Sequence, residues 1–334
     1  MKVAFLSSRG RGITPDLMLL QRYFSDGIKD IEFQYFTRKE LVEDKKKRKF
    51  IVTAKNKAYK EMENIISADM SLDGSFPASS KGGKSILIGA AYDYFFKKNL
   101  LFNEGKIKNK SKDFIYYQYL FAGSPFVRRT LEQCYTLQDN AAIFERCTPF
   151  AADLCKKDKR EKINKKTREK YPILNGRKIL AIITVGESEK KKQDMGQLLE
   201  KYGRDWCLVT NDFTIVESLS GKYSEMRMPV VYSGKYVQTR LLLYLADILV
   251  TNFGYFAASF SATGKPFFAI DHNGSGFEQY MEKMYPDLYL KNIEDVFSAF
   301  NNPNMRKLHH ELCEDLSYPY ITQPEYEVMQ LIYK

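Results

Sequence analysis

The chain has 334 residues, enough for one large domain or two ordinary ones, and its 44% hydrophobic and 28% charged residues exclude a disordered chain. No apolar run approaches the ~20 residues of a membrane-spanning helix, and Met1 leads into Lys2-Val3-Ala4-Phe5-Leu6 without an export signal, so a cytoplasmic protein is expected. The net charge of +11 is polarised, with 35 Lys and Arg against 21 Asp and Glu in residues 1–170, and 17 against 20 in residues 171–334. 

Elements follow in chain order. Residues 3–6, 31–36, 86–88, 114–120 and 141–144 read as strands, with helices at 15–24 and 125–137. Thr14 is the expected N-cap of the first helix, with Pro15 at the position where its missing N–H costs nothing. A highly charged helical connector spans 156–170, its face expected to be solvated, and a turn follows at 172–176. A second series then begins: strand 179–184, helix 190–202, strands 206–210 and 229–232, helix 236–246, strand 248–251, helix 255–262 and strand 266–270. Residues 304–334 read as helical and as crossing back to brace the first domain. The strands are short, continuous apolar runs, as required when helices cover both faces of a sheet. The class is therefore α/β: two Rossmann-like domains, 1–170 and 171–334, facing each other across a cleft. No internal repeat and no low-complexity segment is evident.

Several chemistries are excluded by what is missing. Lys81-Gly82-Gly83-Lys84-Ser85 imitates a phosphate-binding P-loop, but Ala78 stands where the first glycine belongs and a strand, not a helix, follows. Gly10 and Gly12 lack the third glycine of a dinucleotide fingerprint, and no Gly-x-Ser-x-Gly elbow occurs. The five cysteines, Cys134, Cys147, Cys155, Cys207 and Cys313, are an odd number without Cys-x-x-Cys spacing, which speaks against a disulfide framework or zinc site. His309 and His310 read as solvated helix surface, so no metal and no cofactor is implied. The basic first half calls for an anionic partner, an anionic polymer or an anionic membrane surface. Nucleic acid is disfavoured, because Lys45-Lys46-Lys47-Arg48-Lys49 and the 156–170 connector lack interleaved aromatics. The stretch 92–102 mixes aromatics with lysines and fits either anionic lipid or core packing.

Three segments carry a resemblance. Leu6-Ser7-Ser8-Arg9-Gly10-Arg11-Gly12-Ile13-Thr14-Pro15-Asp16 forms a Gly-rich first loop and helix start, and Phe121-Ala122-Gly123-Ser124-Pro125-Phe126-Val127-Arg128 is similar to a Trp-His-Gly-Thr-Pro-Leu-Lys motif. Ala246-Asp247-Ile248-Leu249-Val250-Thr251-Asn252-Phe253-Gly254-Tyr255, running on to Thr263-Gly264-Lys265-Pro266, fits Ala-Asp-Val-Leu-Ile-Thr-Asp-Tyr-Ser-Ser … Lys-Arg-Pro without a gap. In order and spacing these resemble the CDP-glycerol glycerophosphotransferases of teichoic-acid and capsule synthesis. The resemblance implies a glycosyltransferase-B fold and a transferase that moves a polyol phosphate or sugar from a nucleotide-activated donor, a CDP-alditol or nucleotide sugar. The acceptor would be a cell-surface polymer or a lipid-linked molecule. The departures are chemical: the family's motif histidine, its expected base, is Ala122, and its Asp-Tyr-Ser-Ser is Asn252-Phe253-Gly254-Tyr255. A methyl group accepts no proton, so a catalytically inactive binding protein on the same fold is the competing reading.

The donor belongs on the second domain. Gly254 and Tyr255 open a helix straight after a buried strand, with Asn252 before them and Ser259 further along, so that helix start can hold a diphosphate. Ile182-Ile183-Thr184-Val185-Gly186 falls where the family has Tyr-Ala-Pro-Thr, and Thr184, Gly186 and Ser188 offer a second turn. Thr210 and Asn211 end the next strand on the same carboxyl edge and are assigned the base. His272, after strand 266–270, reads equally as a phosphate contact or a loop histidine. On the first domain Arg9, Arg11, Arg128 and Arg129, with Gly123 and Ser124, are the acceptor candidates, guanidinium forks gripping a phosphate. With no histidine there, the base must be a carboxylate: Asp16 or Asp93, although Asp16 also reads as a first-turn carboxylate facing its own helix dipole.

Overall fold

A computed structural model describes residues 1–7, 14–28, 31–37, 63–67, 83–88, 92–112, 114, 117–186, 201–202, 204–212, 215–216, 230–232, 236–318 and 323–333. The chain divides into two compact units, one of residues 1–152 with 315–334, the other of residues 153–314. The boundary lies inside a helix at Ala152 and Asp153, so the charged connector belongs to the second unit rather than to a first domain ending at 170.

The first unit is built on a six-stranded, all-parallel sheet in the order β2-β1-β3-β4-β5-β6. Its strands are β1 (Lys2–Ser7), β2 (Glu32–Thr37), β3 (Asn64–Ser67), β4 (Ser85–Ile88), β5 (Tyr119–Phe121) and β6 (Ala142–Phe144). Helices α1 (Pro15–Gly27), α2 (Tyr92–Asn103), α3 (Pro125–Cys134) and α4 (Pro149–Cys155) are interleaved with them. Thr14 caps α1, its hydroxyl accepting the Leu17 N–H at 3.4 Å, as Thr-Pro predicts. Strand β4 does follow Lys84, which disposes of the P-loop likeness on topology. The aromatic wealth of the chain is spent largely here: Phe5 stacks between Phe24, Phe33 and Tyr35, and Phe96 stacks on Phe126 at 4.7 Å. Tyr92, Phe95, Phe96 and Leu100 of α2 are buried, so the aromatics at the centre of the 92–102 stretch are core, not a lipid-facing surface. The strand expected over 114–120 shrinks to β5, because Phe114 and Tyr117 are buried by rings, Phe114 lying 4.6 Å from Tyr135, and not by ladder pairing.

The C-terminal helix α11 (Pro324–Tyr333) belongs to this unit and packs on α1. Ion pairs from Arg129 to Asp315 at 2.6 Å and from Arg146 to Glu327 at 2.8 Å fasten the returning chain. Among the described residues no helix is long and apolar enough to cross a membrane.

The second unit carries the order β12-β11-β10-β7-β8-β9, again all parallel. Its strands are β7 (Lys178–Ile183), β8 (Trp206–Thr210), β9 (Val230–Tyr232), β10 (Ile248–Thr251), β11 (Phe267–Ile270) and β12 (Tyr289–Leu290). Helices are α5 (Lys157–Lys170), α6 (Tyr236–Leu245), α7 (Gly254–Ser261), α8 (Gly276–Met284), α9 (Val296–Asn301) and α10 (Pro303–Leu316). The helix expected over 190–202 lies outside the described residues apart from its last two. Helix α5 has no buried residue, as a solvated face requires, and it rests on α6. Asp153 is buried between them and bonds Lys159 and the Tyr244 hydroxyl.

One expectation about α10 is overturned. His310 is exposed and pairs with Glu314 at 3.4 Å, but His309 is buried, and its Nε2 accepts the Phe267 N–H at 2.9 Å at the start of β11. The proton therefore sits on Nδ1, 3.6 Å from the Cys313 sulfur. Burial lowers the imidazole to about 4 and, at Cys313, pushes the thiol up to about 12, so the pair is a neutral packing contact. Above the ordinary histidine value both folded and unfolded chains are neutral at this site. As pH falls from about 6.5 to about 4 the unfolded chain takes up a proton that the folded one excludes, so stability is lost across that window. The loss should reach about 3 kcal/mol. Urea unfolding of wild type and His309→Gln across this range should show the extra acid sensitivity in wild type alone.

Candidate functional site

The second sheet reverses its winding between β7 and β10: β8 and β9 extend it one way, β11 and β12 the other. Such a switch point opens a crevice beyond the carboxyl ends of the strands, because the following helices leave on opposite faces. Residues 184–186, 211–212, 252–254 and 271–275 occupy that edge.

The segment after β7 is held by side chains. The Thr184 N–H donates to Asn211 Oδ1 at 2.9 Å, and Asn211 Nδ2 donates to the Thr184 carbonyl at 2.8 Å. One residue on, the Val185 N–H donates to Asn252 Oδ1 at 2.8 Å and Asn252 Nδ2 returns to the Val185 carbonyl at 2.9 Å. Asn273 Nδ2 reaches the same carbonyl at 2.8 Å, and His272 Nε2 lies 3.3 Å from the Gly186 carbonyl. Thr184 Oγ1 donates to the Asp212 carboxylate at 3.1 Å. Asn211 and Asn252, assigned from sequence to the donor, thus have both ends of their carboxamides bound to the β7 segment. His272 is buried, while Val185, Gly186, Asn273 and Gly274 form the exposed rim.

Gly186 needs its missing side chain: its φ of +91° lies in the left-handed region, and a Cβ would sit 2.4 Å from Asn273 Nδ2. The loop from His272 to Ser275 is shaped by Glu278, a buried carboxylate that accepts the N–H groups of His272, Asn273, Gly274 and Ser275 at 2.9 to 3.4 Å. Ser275 returns the favour by capping the Glu278 N–H at 3.2 Å, a capping box that opens α8. Sequence reasoning passed over Glu278, although Ser275-x-x-Glu278 carries that signature.

Helix α7 begins straight after Asn252. Its N-cap, Phe253, supplies no side-chain hydrogen bond to the helix start, and every residue from Gly254 to Ser261 is buried. Thr210 is buried, its hydroxyl accepting the Asp212 N–H at 3.0 Å. The Ser259 hydroxyl is buried and makes no hydrogen bond among the described residues. Ser188 lies outside the described residues.

On the first unit the assignments fare differently. Arg9 and Arg11 lie outside the described residues, and Asp93 is placed in α2 with its side chain undescribed. Asp16 is wholly buried, its Oδ1 accepting the Phe150 N–H of α4 at 2.7 Å, which fits a structural carboxylate better than an accessible base. Tyr92 lies beside it; burial first, then the Asp16 charge, drives the phenol far above its ordinary value, against a hydrogen bond with Ser124. Ser124 caps α3, accepting the Val127 N–H at 3.2 Å, and Gly123 turns into that cap with a φ of +77°. Ala122, at the position of the motif histidine, is buried. Arg128 pairs with Glu132 at 3.0 Å and with Glu145, and Arg129 with Asp315, so these guanidinium groups are engaged within the unit. Among the described residues no cluster of His, Cys, Asp or Glu could hold a metal ion.

No protein-family model matches the chain, and no curated protein matches it. Among solved structures it is similar to the wall teichoic acid polymerase TagF, at 12% identity over 99% of this chain and 88% of that one, with a TM-score of 0.69. A variant of that polymerase soaked with CDPG gives 12% identity, the same coverage of 99% and 88%, and a TM-score of 0.66. A candidate UDP-N-acetylglucosamine 2-epimerase from Listeria monocytogenes gives 11%, coverage of 99% and 95%, and 0.59. At these identities the likeness is one of fold: two α/β domains of the glycosyltransferase-B type.

The geometry at Gly186 sets a test. Gly186→Ala should cost about 1–3 kcal/mol, since it combines a strained φ with displacement of Asn273 from the Val185 carbonyl. Gly264→Ala, with a φ of +66° but open space around its Cβ, should cost less. Urea midpoints of the two variants compare the terms directly.

Proposed function

We propose that the chain is a transferase that binds a nucleotide-activated donor, a CDP-alditol or nucleotide sugar, on the carboxyl edge of the second sheet. It passes a polyol phosphate or sugar to an anionic polymer or lipid-linked acceptor. The observation that carries this reading is the switch point between β7 and β10, where α7 starts beside a turn held by side chains from the neighbouring strand ends. Helix starts at such points attract phosphate through the dipole and backbone N–H groups. The resemblance of the segment from Ala246 to Pro266, and the fold shared with a polymerase soaked with CDPG, support the same donor class. Phosphoryl transfer asks the protein for positioning and charge neutralisation more than covalent chemistry. The acceptor would be met by the first unit, where Arg9 and Arg11 remain its proposed phosphate contacts and Asp93 its proposed base. A peripheral seat on an anionic membrane face would follow from the basic residues 1–170.

A second reading, a binding protein that has given up turnover, draws on two observations. Ala122 stands where the motif has histidine, and the Asp16 carboxylate is spent on Phe150. Calorimetry with a panel of CDP-alditols and nucleotide sugars, followed by donor-consumption assays, separates the readings. The transferase should bind one nucleotide class and consume its donor once an acceptor is supplied. Donor bound but never consumed supports the second reading, and no heat at millimolar donor sinks both.

A further inference from the structure

The same four residues end the two strands that flank β7. Leu208-Val209-Thr210-Asn211 closes β8, and Leu249-Val250-Thr251-Asn252 closes β10. The two copies do the same work. In each, the threonine hydroxyl accepts the N–H two residues on, from Asp212 at 3.0 Å and from Phe253 at 3.1 Å. This turns the backbone out of the sheet directly after the asparagine. The carboxamide is left to continue the ladder. It offers one acceptor and one donor with the spacing of a strand neighbour, and it takes both the N–H and the C=O of one residue of the β7 extension. Consecutive residues of an extended chain present their peptide groups to opposite sides. Accordingly Asn211 takes Thr184 from the β8 side and Asn252 takes Val185 from the β10 side. The pairing also fixes which end of each amide is oxygen, because only Oδ1 can accept an N–H and only Nδ2 can meet a carbonyl.

We propose that these paired carboxamides are the positioning device of the donor site, and that Asn252 acts as an obligatory donor to the Val185 carbonyl rather than as the remnant of a catalytic carboxylate. The proposal rests on the reading of this edge as the nucleotide site, and it deepens that reading. Neither asparagine touches the ligand; each acts through residues 184–186. The chemistry requires carboxamides here. An ionised carboxylate would still accept the Val185 N–H, but its second oxygen would face the Val185 carbonyl with no proton between them. It would also add a negative charge beside a turn that receives a diphosphate. Asn252 is buried, so water does not relieve that opposition.

Asn252→Asp tests this, because protonation converts the variant back: a neutral carboxyl group both accepts and, through its O–H, donates. Wild type, N252D and N252A are compared for CDP and UDP affinity by calorimetry, and for thermal unfolding, at pH 7 and near pH 4.5. The bonded environment favours the protonated acid and raises its folded-state value above ~3.9, so the deficit of N252D is full at pH 7 and closes as pH falls through that raised value. At pH 7 N252D should bind nucleotide about tenfold or more weakly than wild type and unfold at a lower temperature. Near pH 4.5 it should recover towards wild type measured at the same pH, while N252A should not. N252D equal to wild type at pH 7, or a deficit that does not narrow on acidification, overturns the proposal. If N252D does not fold at pH 7, N211D carries the same comparison at the half-buried partner. If wild type binds neither nucleotide the donor reading fails. A pH-reversible drop in the N252D unfolding midpoint then still upholds the clamp, and an unchanged midpoint overturns it.

Discussion

The architecture of the second unit depends on how β7 ends. A parallel strand at a switch point loses its neighbours there, since β8 and β10 turn away to their helices, and its next peptide groups would be left without ladder partners. Here the carboxamides of Asn211 and Asn252 take over from the backbone, and Asn273 and His272 add to them, so the N–H and C=O of Thr184 and Val185 and the carbonyl of Gly186 meet side chains from three other strand ends. The turn of residues 184–186 is thereby held in place by side chains of the protein itself. Pre-organisation of this kind spares a binding event the cost of ordering a loop.

The first unit solves a related problem by a buried charge. Asp16 in the first turn of α1 bonds the start of α4, and Tyr92 at the start of α2 lies between Asp16 and Ser124, the cap of α3. Four helix starts are thus linked through one carboxylate, one phenol and one hydroxyl, with the positive ends of the helix dipoles near the only formal negative charge of the group. Arg128 and Arg129, in the helix that Ser124 caps, are tied to Glu132, Glu145 and Asp315. The described residues of this carboxyl edge are accordingly occupied with holding the fold together.

Much of the fold was legible because burial on both sheet faces leaves a plain mark. Strands at 206–210 and 248–251 are unbroken apolar runs, and Thr14-Pro15 announces a helix start. What sequence could not display was partnership. Asn252 looked like a carboxylate lost from a motif, since nothing local shows that its carboxamide faces a peptide 67 positions away. His309 looked solvated beside His310, since two adjacent helix positions point in different directions and only packing on Phe267 tells them apart. Phe114 and Tyr117 looked like strand because aromatic residues suit strands, but packing against tilted rings buried them without a ladder. The repeated Leu-Val-Thr-Asn was visible all along, too short to register as a repeat until topology set its copies on either side of one strand.

Glu278 has a consequence for the chemical lifetime of the site. Asn273-Gly274 is a dipeptide prone to spontaneous cyclisation, in which the glycine peptide nitrogen attacks the preceding carboxamide and ammonia departs. In this turn the Gly274 nitrogen directs its proton to the Glu278 carboxylate at 3.0 Å, and the Asn273 carboxamide is drawn away to the Val185 carbonyl at 2.8 Å. Attacking atom and target are restrained by separate bonds, so the contacts that shape the rim also slow its deamidation as the protein ages.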